Sequence, residues 1–348
     1  MIDWQDSYSL ESVRLYRVDV GTWADSEEVG GVESMTVNRS ATGSTPLIES
    51  GSMTVDMPAN ETIQEGYYRV VAYALQDGST QRVEVATLHC AETSGTVNGG
   101  VRETSVVGRS VLYPASVQRL SRGSYAPSGV DGMAYVADML RQVCAAPVVV
   151  SGGFVLNDAV VFDVGSTVLE AAWKVLKAGN ACIRIMGNGT IHLQPMPSEP
   201  ELVLDRDRMG MLMPSVKANS DLTKVHNRYT AIQNDVTETV TNDDPESVTS
   251  TVSRGYYSDV VDKSPKRVNG ETLRAYCIRK LEEDSILRTP YTYSREYWPD
   301  VVPYDIIRAN IPSVGMTSDM RVSKQKVTLS GGILIEETAE TEESLWRA

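Results

Sequence analysis

The first 113 residues constrain this chain most, because they are a succession of short runs in which apolar and polar side chains alternate. Side chains on a strand point to opposite faces with period two, so Met53, Val55 and Met57 within residues 52–57 share one face of a half-buried strand. Residues 12–20, 32–37, 68–75 and 81–88 have the same texture. The last two are joined by Gln76-Asp77-Gly78-Ser79-Thr80, in which Asp-Gly supplies the positive φ of a hairpin turn. Five or more strands in about a hundred residues predict a barrel or a sandwich.

From Pro114 to Gly129 the texture changes to a loop rich in serine and glycine, and helical spacing follows. Residues 131–144 place Met133, Val136, Leu140 and Val143 on one face and stop before Pro147. Residues 168–178 carry fuller signals: Thr167 as N-cap, Glu170 three residues on to complete a capping box, and Gly179-Asn180 as the stop. Residues 182–186 and 190–194 then form a hairpin around Gly187-Asn188-Gly189, with Ile191 and Leu193 alternating against Thr190 and His192. Beyond Pro200, strands are predicted at 202–204 and 224–232, followed by a polar stretch from 234 to 254. A helix at 271–287 puts Leu273, Tyr276, Cys277 and Leu281 on one side, and strands return at 306–308, 321–329 and 333–335. The fold class is mainly β with an α/β insertion. Residues 1–114 form a first β domain, 115–200 the α/β insertion, and 201–348 a second β domain that includes the helix and a small associated unit.

A chain of 348 residues is two to three times a typical domain, which agrees with that division. With 41% hydrophobic and 22% charged residues it has the composition of an ordinary globular protein. No run approaches the roughly 20 apolar residues that span a bilayer, so no membrane insertion is expected. The start, Met1-Ile2-Asp3-Trp4-Gln5-Asp6, is acidic where a secretory signal needs basic residues, which predicts synthesis in a cytoplasm. The net charge of −14 argues against wrapping nucleic acid, because phosphate affinity comes from Lys and Arg.

Residues able to do chemistry are sparse. His89, His192 and His226 all lie in strand contexts, and Cys90, Cys144, Cys182 and Cys277 form no CxxC pair. Asp205 and Asp207, with Arg206 and Arg208 interleaved, read as a solvated turn with local ion pairs. Asn242-Asp243-Asp244-Pro245-Glu246 resembles a calcium loop in composition but lacks its glycine and ligand spacing. Neither GxxxxGK[ST] nor HExxH occurs, and no helix opens after Gly187-Asn188-Gly189 to make it a phosphate cradle. We therefore assign no catalytic, cofactor-binding or metal-ligating residue. The methionine-rich Met209-Gly210-Met211-Leu212-Met213 reads as core packing, or as a deformable contact strip.

The order of these parts resembles the baseplate hub or tail-associated proteins of long-tailed bacteriophages, a family that includes the late-control-type proteins of contractile tails. The resemblance rests on several segments. Leu47-Ile48-Glu49-Ser50-Gly51-Ser52-Met53-Thr54-Val55 with Tyr68-Arg69-Val70 is similar to the family's first barrel. Val106-Val107-Gly108-Arg109-Ser110-Val111-Leu112 resembles its G-Y-S-x-L exit, with arginine in the aromatic position. The capped helix at 167–179 and the following hairpin match in order, and so does Asp221-Leu222-Thr223-Lys224-Val225-His226-Asn227 as a D-x-x-x-x-x-N strand opening. The helix from Glu271, the β-rich stretch 291–297, and Val302-Pro303-Tyr304-Asp305-Ile306-Ile307 with its Pro-x-Asp turn resemble the family's ending.

The resemblance implies two tube-like β-barrels per subunit and a homotrimer that imitates a six-fold ring. It implies a non-enzymatic virion protein of the tail tip, assembled in the host cytoplasm, that forms part of the conduit for DNA ejection. Its partners would be the tail tube protein, the distal tail protein, the tape measure, and tip, spike or fibre proteins; DNA would pass through the lumen without specific binding. No cofactor is implied. The chain ends soon after its last strands with a short acidic tail, where many relatives carry a hydrolase or receptor-binding extension, so those activities are expected on separate proteins. Some of the excess carboxylates are expected to face the lumen, and a channel lined mainly by Lys and Arg would overturn this. Two other readings compete. A receptor-binding adhesin predicts an exposed platform of Tyr291, Tyr293, Tyr297 and Trp298, and a carbohydrate hydrolase predicts two carboxylates across a cleft.

Overall fold

The computed structural model of the protein describes residues 8–42, 45–205, 221–312, 316–329 and 332–347. The amino-terminal region folds as six antiparallel strands: β1 (Ser9–Val18), β2 (Asp25–Thr42), β3 (Thr45–Pro58), β4 (Gly66–Gln76), β5 (Ser79–Asn98) and β6 (Val101–Arg109). Alternation sets their faces. Along β3, Leu47, Met53, Val55 and Met57 are buried, while Ile48, Ser50 and Ser52 are exposed. The predicted turn is present, with Asp77 at φ 50° and Gly78 at φ 74° between β4 and β5. A second turn of the same kind, Gly99-Gly100, joins β5 to β6 and allows β5 to run ten residues beyond its expected end at Leu88.

Hydrogen-bonded ladders link these strands in the order β1-β4-β5-β6-β3-β2, and β2 pairs again with β1, so the circuit returns to its start. Inside lie Leu15, Val37, Val55, Val70, Leu88 and Val106. Gly51 and Gly108 face each other across β3 and β6. A Cβ on either would come within 2.6 or 2.7 Å of Leu88 Cδ1, so the two glycines make the space that Leu88 fills.

The α/β insertion comprises α1 (Tyr113–Val117), β7 (Ser124–Ala126), α2 (Gly132–Arg141), β8 (Val148–Val150), β9 (Val160–Phe162), α3 (Val168–Ala178), β10 (Ala181–Ile185) and β11 (Ile191–Pro195). Asp131 caps α2 by accepting from the amides of Met133 and Ala134. Thr167 and Glu170 form the predicted capping box on α3. The core of this unit, with Leu140, Leu176, Ile183 and Leu193, is continuous with Leu47, Tyr67 and Val111 of the first region.

The remaining elements are β12 (Pro200–Asp205), β13 (Arg228–Gln233), β14 (Val236–Thr241), α4 (Thr251–Arg254), β15 (Asp259–Asp262), α5 (Leu273–Asp284), β16 (Ile286–Glu296), β17 (Ile306–Asn310), β18 (Asp319–Leu329) and β19 (Ile333–Ser344). The strand expected from residue 224 starts later, because Asp221 accepts from the Thr223 amide and winds Leu222–Lys224 into a helical turn. The helix expected at 271–287 is shorter at both ends. Thr272 caps it, Glu271 lies outside and pairs with Arg279, and Ile286 already belongs to β16. The polar stretch 234–254 hides β14, which turns out of β13 through Asn234 and Asp235, both at positive φ. The sheet β14-β13-β15 packs Tyr229, Ala231 and Val240 against Tyr276, Cys277 and Leu281 of α5.

Hydrogen bonding also crosses the divisions read from chain order. β18 pairs with β19 along one edge; along the other it pairs first with β17 and then with β2, residues 324–329 lying opposite 35–40. The first six strands and β12, β16, β17, β18 and β19 therefore form one 11-stranded sheet. A second core of Leu202, Tyr293, Ile307, Met320 and Ala339 lies beneath the carboxy-terminal strands. Among the described residues, the ladder β12-β17-β18-β19-β16 does not return to itself.

Candidate functional site

The registers align one exposed face across seven strands. Ala91, Val107, Ser52, Thr36, Thr328, Leu334 and Glu296 lie side by side on β5, β6, β3, β2, β18, β19 and β16. Two residues along, a parallel row runs His89, Arg109, Ser50, Asn38, Lys326, Glu336 and Ser294. Hydroxyls dominate the middle of this face: Ser34, Thr36, Ser52, Thr54, Ser105 and Thr328 line a shallow concavity of about 330 Å3. Beneath them Met35, Met53, Val106 and Leu329 are buried, so the alternation that builds the core also builds the face. Charges flank this middle: Arg109, Lys326, Glu336 and Glu296 stand in the two rows, with Lys326 directly opposite Glu336. Three carboxylates, Glu33, Asp56 and Glu103, gather at one end, where the hydrogen bond to Asp56 raises the Glu33 pKa.

Behind the face, buried ion pairs tie the strands together. Arg295 of β16 and Glu337 of β19 are both 0% exposed and 2.7 Å apart. Glu337 also accepts from the Tyr293 hydroxyl and from Gln325 Nε2 of β18, so three strands meet on one carboxylate. Arg39 of β2 and Glu49 of β3 form a second buried pair at 2.8 Å, with Arg39 also donating to the Val85 carbonyl of β5. Desolvation raises the Glu49 pKa, with Arg39 opposing it.

The insertion is held by polar joints. Gly187-Asn188-Gly189 at the tip of the β10–β11 hairpin docks on the first six strands: Trp23 Nε1 and Arg69 donate to the Asn188 carbonyl, and the Thr87 hydroxyl donates to the Gly187 carbonyl. Arg184 of β10 pairs with Asp305 at 2.7 Å and donates to the Asp300 carbonyl. Next to Asp305, Tyr304 holds φ 83°, unusual for a bulky residue, and stacks on Trp173 of α3. Desolvation pushes the Asp305 carboxyl up to about 7, with Arg184 opposing. Asp158 binds Arg267 through both oxygens and joins the insertion to the segment before α5. Between α3, α5 and the carboxy-terminal strands lies a cleft of about 900 Å3. Lys174 and Lys177 stand on its α3 wall; on its floor Glu342 pairs with Arg288 and Arg321.

The residues weighed for chemistry are scattered over separate elements. His89 stacks on Tyr113 and meets Tyr67 edge-on. His192 lies opposite Arg184 on the β10–β11 hairpin; burial and then Arg184 lower its pKa. His226 meets the Ser258 hydroxyl. All four cysteines are buried free thiols, and burial pushes Cys90 and Cys182 up to about 12. Asp205 ends β12 opposite Asn310; Asp207 and Met209-Gly210-Met211-Leu212-Met213 lie outside the described residues. In the 242–246 segment, Asn242 and Asp244 accept from the amides of Asp244 and Glu246, turning side-chain oxygens towards their own backbone. Among the described residues no three His, Cys, Asp or Glu side chains are grouped to hold a metal. Tyr293 and Tyr297 are each only 2% exposed, and Tyr291 and Trp298 are half-buried, so the four rings do not form a surface platform.

Sequence reasoning missed Arg69, Arg184 and Arg295, because an isolated arginine in a strand gives no sign of the distant carbonyl or carboxylate it will meet. Asn227 of the D-x-x-x-x-x-N segment is wholly buried. Its side chain donates to the carbonyls of Thr249 and Tyr256 and accepts from the Ser258 amide, pinning the loop between β14 and β15.

No protein-family profile matches the sequence, and no curated protein matches it. Solved structures do. A tail protein from Neisseria meningitidis is 14% identical, with a TM-score of 0.63 and 97% of each chain covered. The 43 kDa tail protein of prophage MuSo2 from Shewanella oneidensis is 11% identical, with a TM-score of 0.59, covering 94% of this chain and 98% of that one. An Escherichia coli type VI secretion component, described as structurally similar to phage T4 tail proteins, is 10% identical, with a TM-score of 0.51, covering 99% of this chain and 79% of that one. The chain shares the fold of phage-tail and type VI secretion proteins over nearly its whole length.

Proposed function

We propose that this protein is a structural ring component at the end of a phage tail tube, a hub whose three copies surround the path of the DNA. The observation that carries the reading is the single exposed sheet face that passes without a break from the first six strands into β18, β19 and β16. The first six strands close on themselves and the carboxy-terminal ladder adds a second, open unit to the same face; two such units per subunit let three copies meet a six-fold tube. Hydroxyls line its concavity, and the carboxylates Glu33, Asp56 and Glu103 gather at one end of the face. Both linings serve a conduit, since phosphates are held by dense Lys and Arg, and this face pairs Lys326 with Glu336.

On this reading the tail tube and distal tail proteins contact one rim of the ring, the tip proteins contact the other, and the tape measure and then DNA occupy the lumen. The work is geometric and needs no catalysis. The buried Tyr293 and Tyr297 favour this role over an adhesin. Native mass measurement of the purified chain tests it: three copies are expected, and a monomer at every concentration, or a hexamer, overturns it. Electron microscopy of tail ends should place the hydroxyl face towards the axis.

A further inference from the structure

The segment between β14 and β15 carries two tyrosines that are exposed and yet held in place. Tyr256 is 54% exposed and Tyr257 59%. Their backbone is fixed by the buried Asn227, which donates to the Tyr256 carbonyl and accepts from the Ser258 amide. Each ring is backed by an arginine: the Arg228 guanidinium lies 3.9 Å from the centre of the Tyr257 ring, and that of Arg254 5.8 Å from the centre of Tyr256. The arginines are pinned in turn, Arg228 by both oxygens of Asp259 and Arg254 by the carbonyls of Val225 and Leu222. With a guanidinium over one face of Tyr257, the open face of the ring is the other. A ring already fixed in this way loses little freedom when a ligand covers it. Tyr257 stands beside the outer face of the sheet β14-β13-β15. Alternation turns Tyr229 and Ala231 inward against α5 and leaves Arg228 and Thr230 outside. The registers put Thr241, Arg228 and Asp259 in one row across this face, and Thr239, Thr230 and Val261 in the next, where the Thr230 and Thr239 hydroxyls are 3.0 Å apart.

We infer that Tyr257 and this sheet face form a binding site for an uncharged glycan, an extended chain of pyranose rings. Three features select a sugar. The open side of Tyr257 is an apolar platform on which the C–H face of a pyranose ring can lie. Threonine hydroxyls both donate and accept, as sugar hydroxyls do, and the Arg228–Asp259 pair sets donors beside acceptors, a match for two neighbouring hydroxyls on one ring. The pair is also neutral as a whole, so the row offers no net charge to a phosphate or a charged peptide; nucleic acid would need Lys and Arg free of carboxylates. Platform, ion pair and hydroxyls follow one another along the strand direction, which suits an extended chain better than a single sugar. The site lies within one subunit, so it goes beyond the ring reading and does not depend on it.

Calorimetric titration of the full chain with cellohexaose and with chitohexaose, both extended β-linked chains, tests the site, with the coiled α-linked maltohexaose for comparison. At least one extended sugar should bind, and maltohexaose about tenfold more weakly. Tyr257→Ala should weaken binding about tenfold or more, and Thr239→Val should weaken it too, whereas Tyr257→Phe keeps the platform and should stay within about twofold. Tyr125→Ala removes an exposed ring on β7 and should change nothing. Hydrogen exchange at residues 256–261 should slow when the sugar is added. No heat from either extended sugar, or an unchanged affinity in Tyr257→Ala, overturns the site; equal binding of maltohexaose overturns its preference for an extended chain. Exchange at 256–261 that slows on oligomerisation without sugar assigns the two tyrosines to a protein contact and overturns it as well. A trimer that binds no sugar refutes the glycan site and leaves the ring standing, while a monomer that binds does the reverse.

Discussion

Val37 of β2 lies directly opposite Val327 of β18, and both are completely buried. This pair sits on the seam where the amino-terminal and carboxy-terminal regions become one sheet, within the core that includes Leu15, Val55 and Ile335. Val327→Ala removes two methyl groups from a site that cannot fully collapse, and should lower the unfolding free energy by about 2 kcal/mol. Chemical denaturation monitored by two independent probes checks this. The probes should report one shared transition, because the seam couples the regions.

The buried pair Arg295–Glu337 predicts a different pattern. Arg295→Met leaves a wholly buried carboxylate with only Tyr293 and Gln325 as partners, and should cost about 3–5 kcal/mol. Adding Glu337→Leu removes the unpaired charge and should recover part of the loss, but not all of it, since Tyr293 and Gln325 then lose their acceptor. Equilibrium urea unfolding of both single variants and the double variant measures the coupling. Full additivity would show that the two side chains do not act as a unit.

Much of the fold was legible where its signals are local. Thr167 with Glu170, and Asp77 with Gly78, announce a helix start and a hairpin turn within four residues of sequence, and both are present. Pairing between β2 and β18 had no such sign. It joins residues 35–40 to 324–329, and alternation identifies a strand without naming its partner. The candidate face was half legible: the outward serines and threonines of β3 could be read from period two, but their alignment with Thr36 and Thr328 follows from register alone. Which carboxylates stand on the face was not legible for a related reason, because a total of −14 says nothing about where they are.

Asp305 makes stability depend on pH. Its folded carboxyl is pushed up to about 7 by burial, above the ordinary unfolded value of about 4, despite the opposing Arg184; Glu201 adds to the rise. A carboxyl shifted upward in this way stabilises the fold fully below its unfolded pKa and loses that contribution as pH rises through the folded value. Asp305→Asn abolishes the titration. Between about pH 4 and pH 7 the wild type should therefore lose stability relative to the variant, a trend that thermal melts across the range would reveal. A difference that stays constant with pH would assign the Arg184 contact the larger share.

The docked hairpin tip yields the sharpest steric prediction. Gly187 packs so tightly on β5 that a Cβ would overlap the Glu84 carbonyl oxygen, and backbone cannot give way as a flexible side chain can. Gly187→Ala must lift the tip from the sheet, and with it the bonds that Trp23 and Arg69 make to Asn188. The expected cost is about 1–3 kcal/mol, with faster hydrogen exchange at residues 187–190. Gly123→Ala is the control, since the nearest atoms to its Cβ would be 3.8 Å away. It should melt like the wild type. Equal effects from both substitutions would mean that the loss comes from removing glycine itself, and that the hairpin tip is not the joint that holds the insertion.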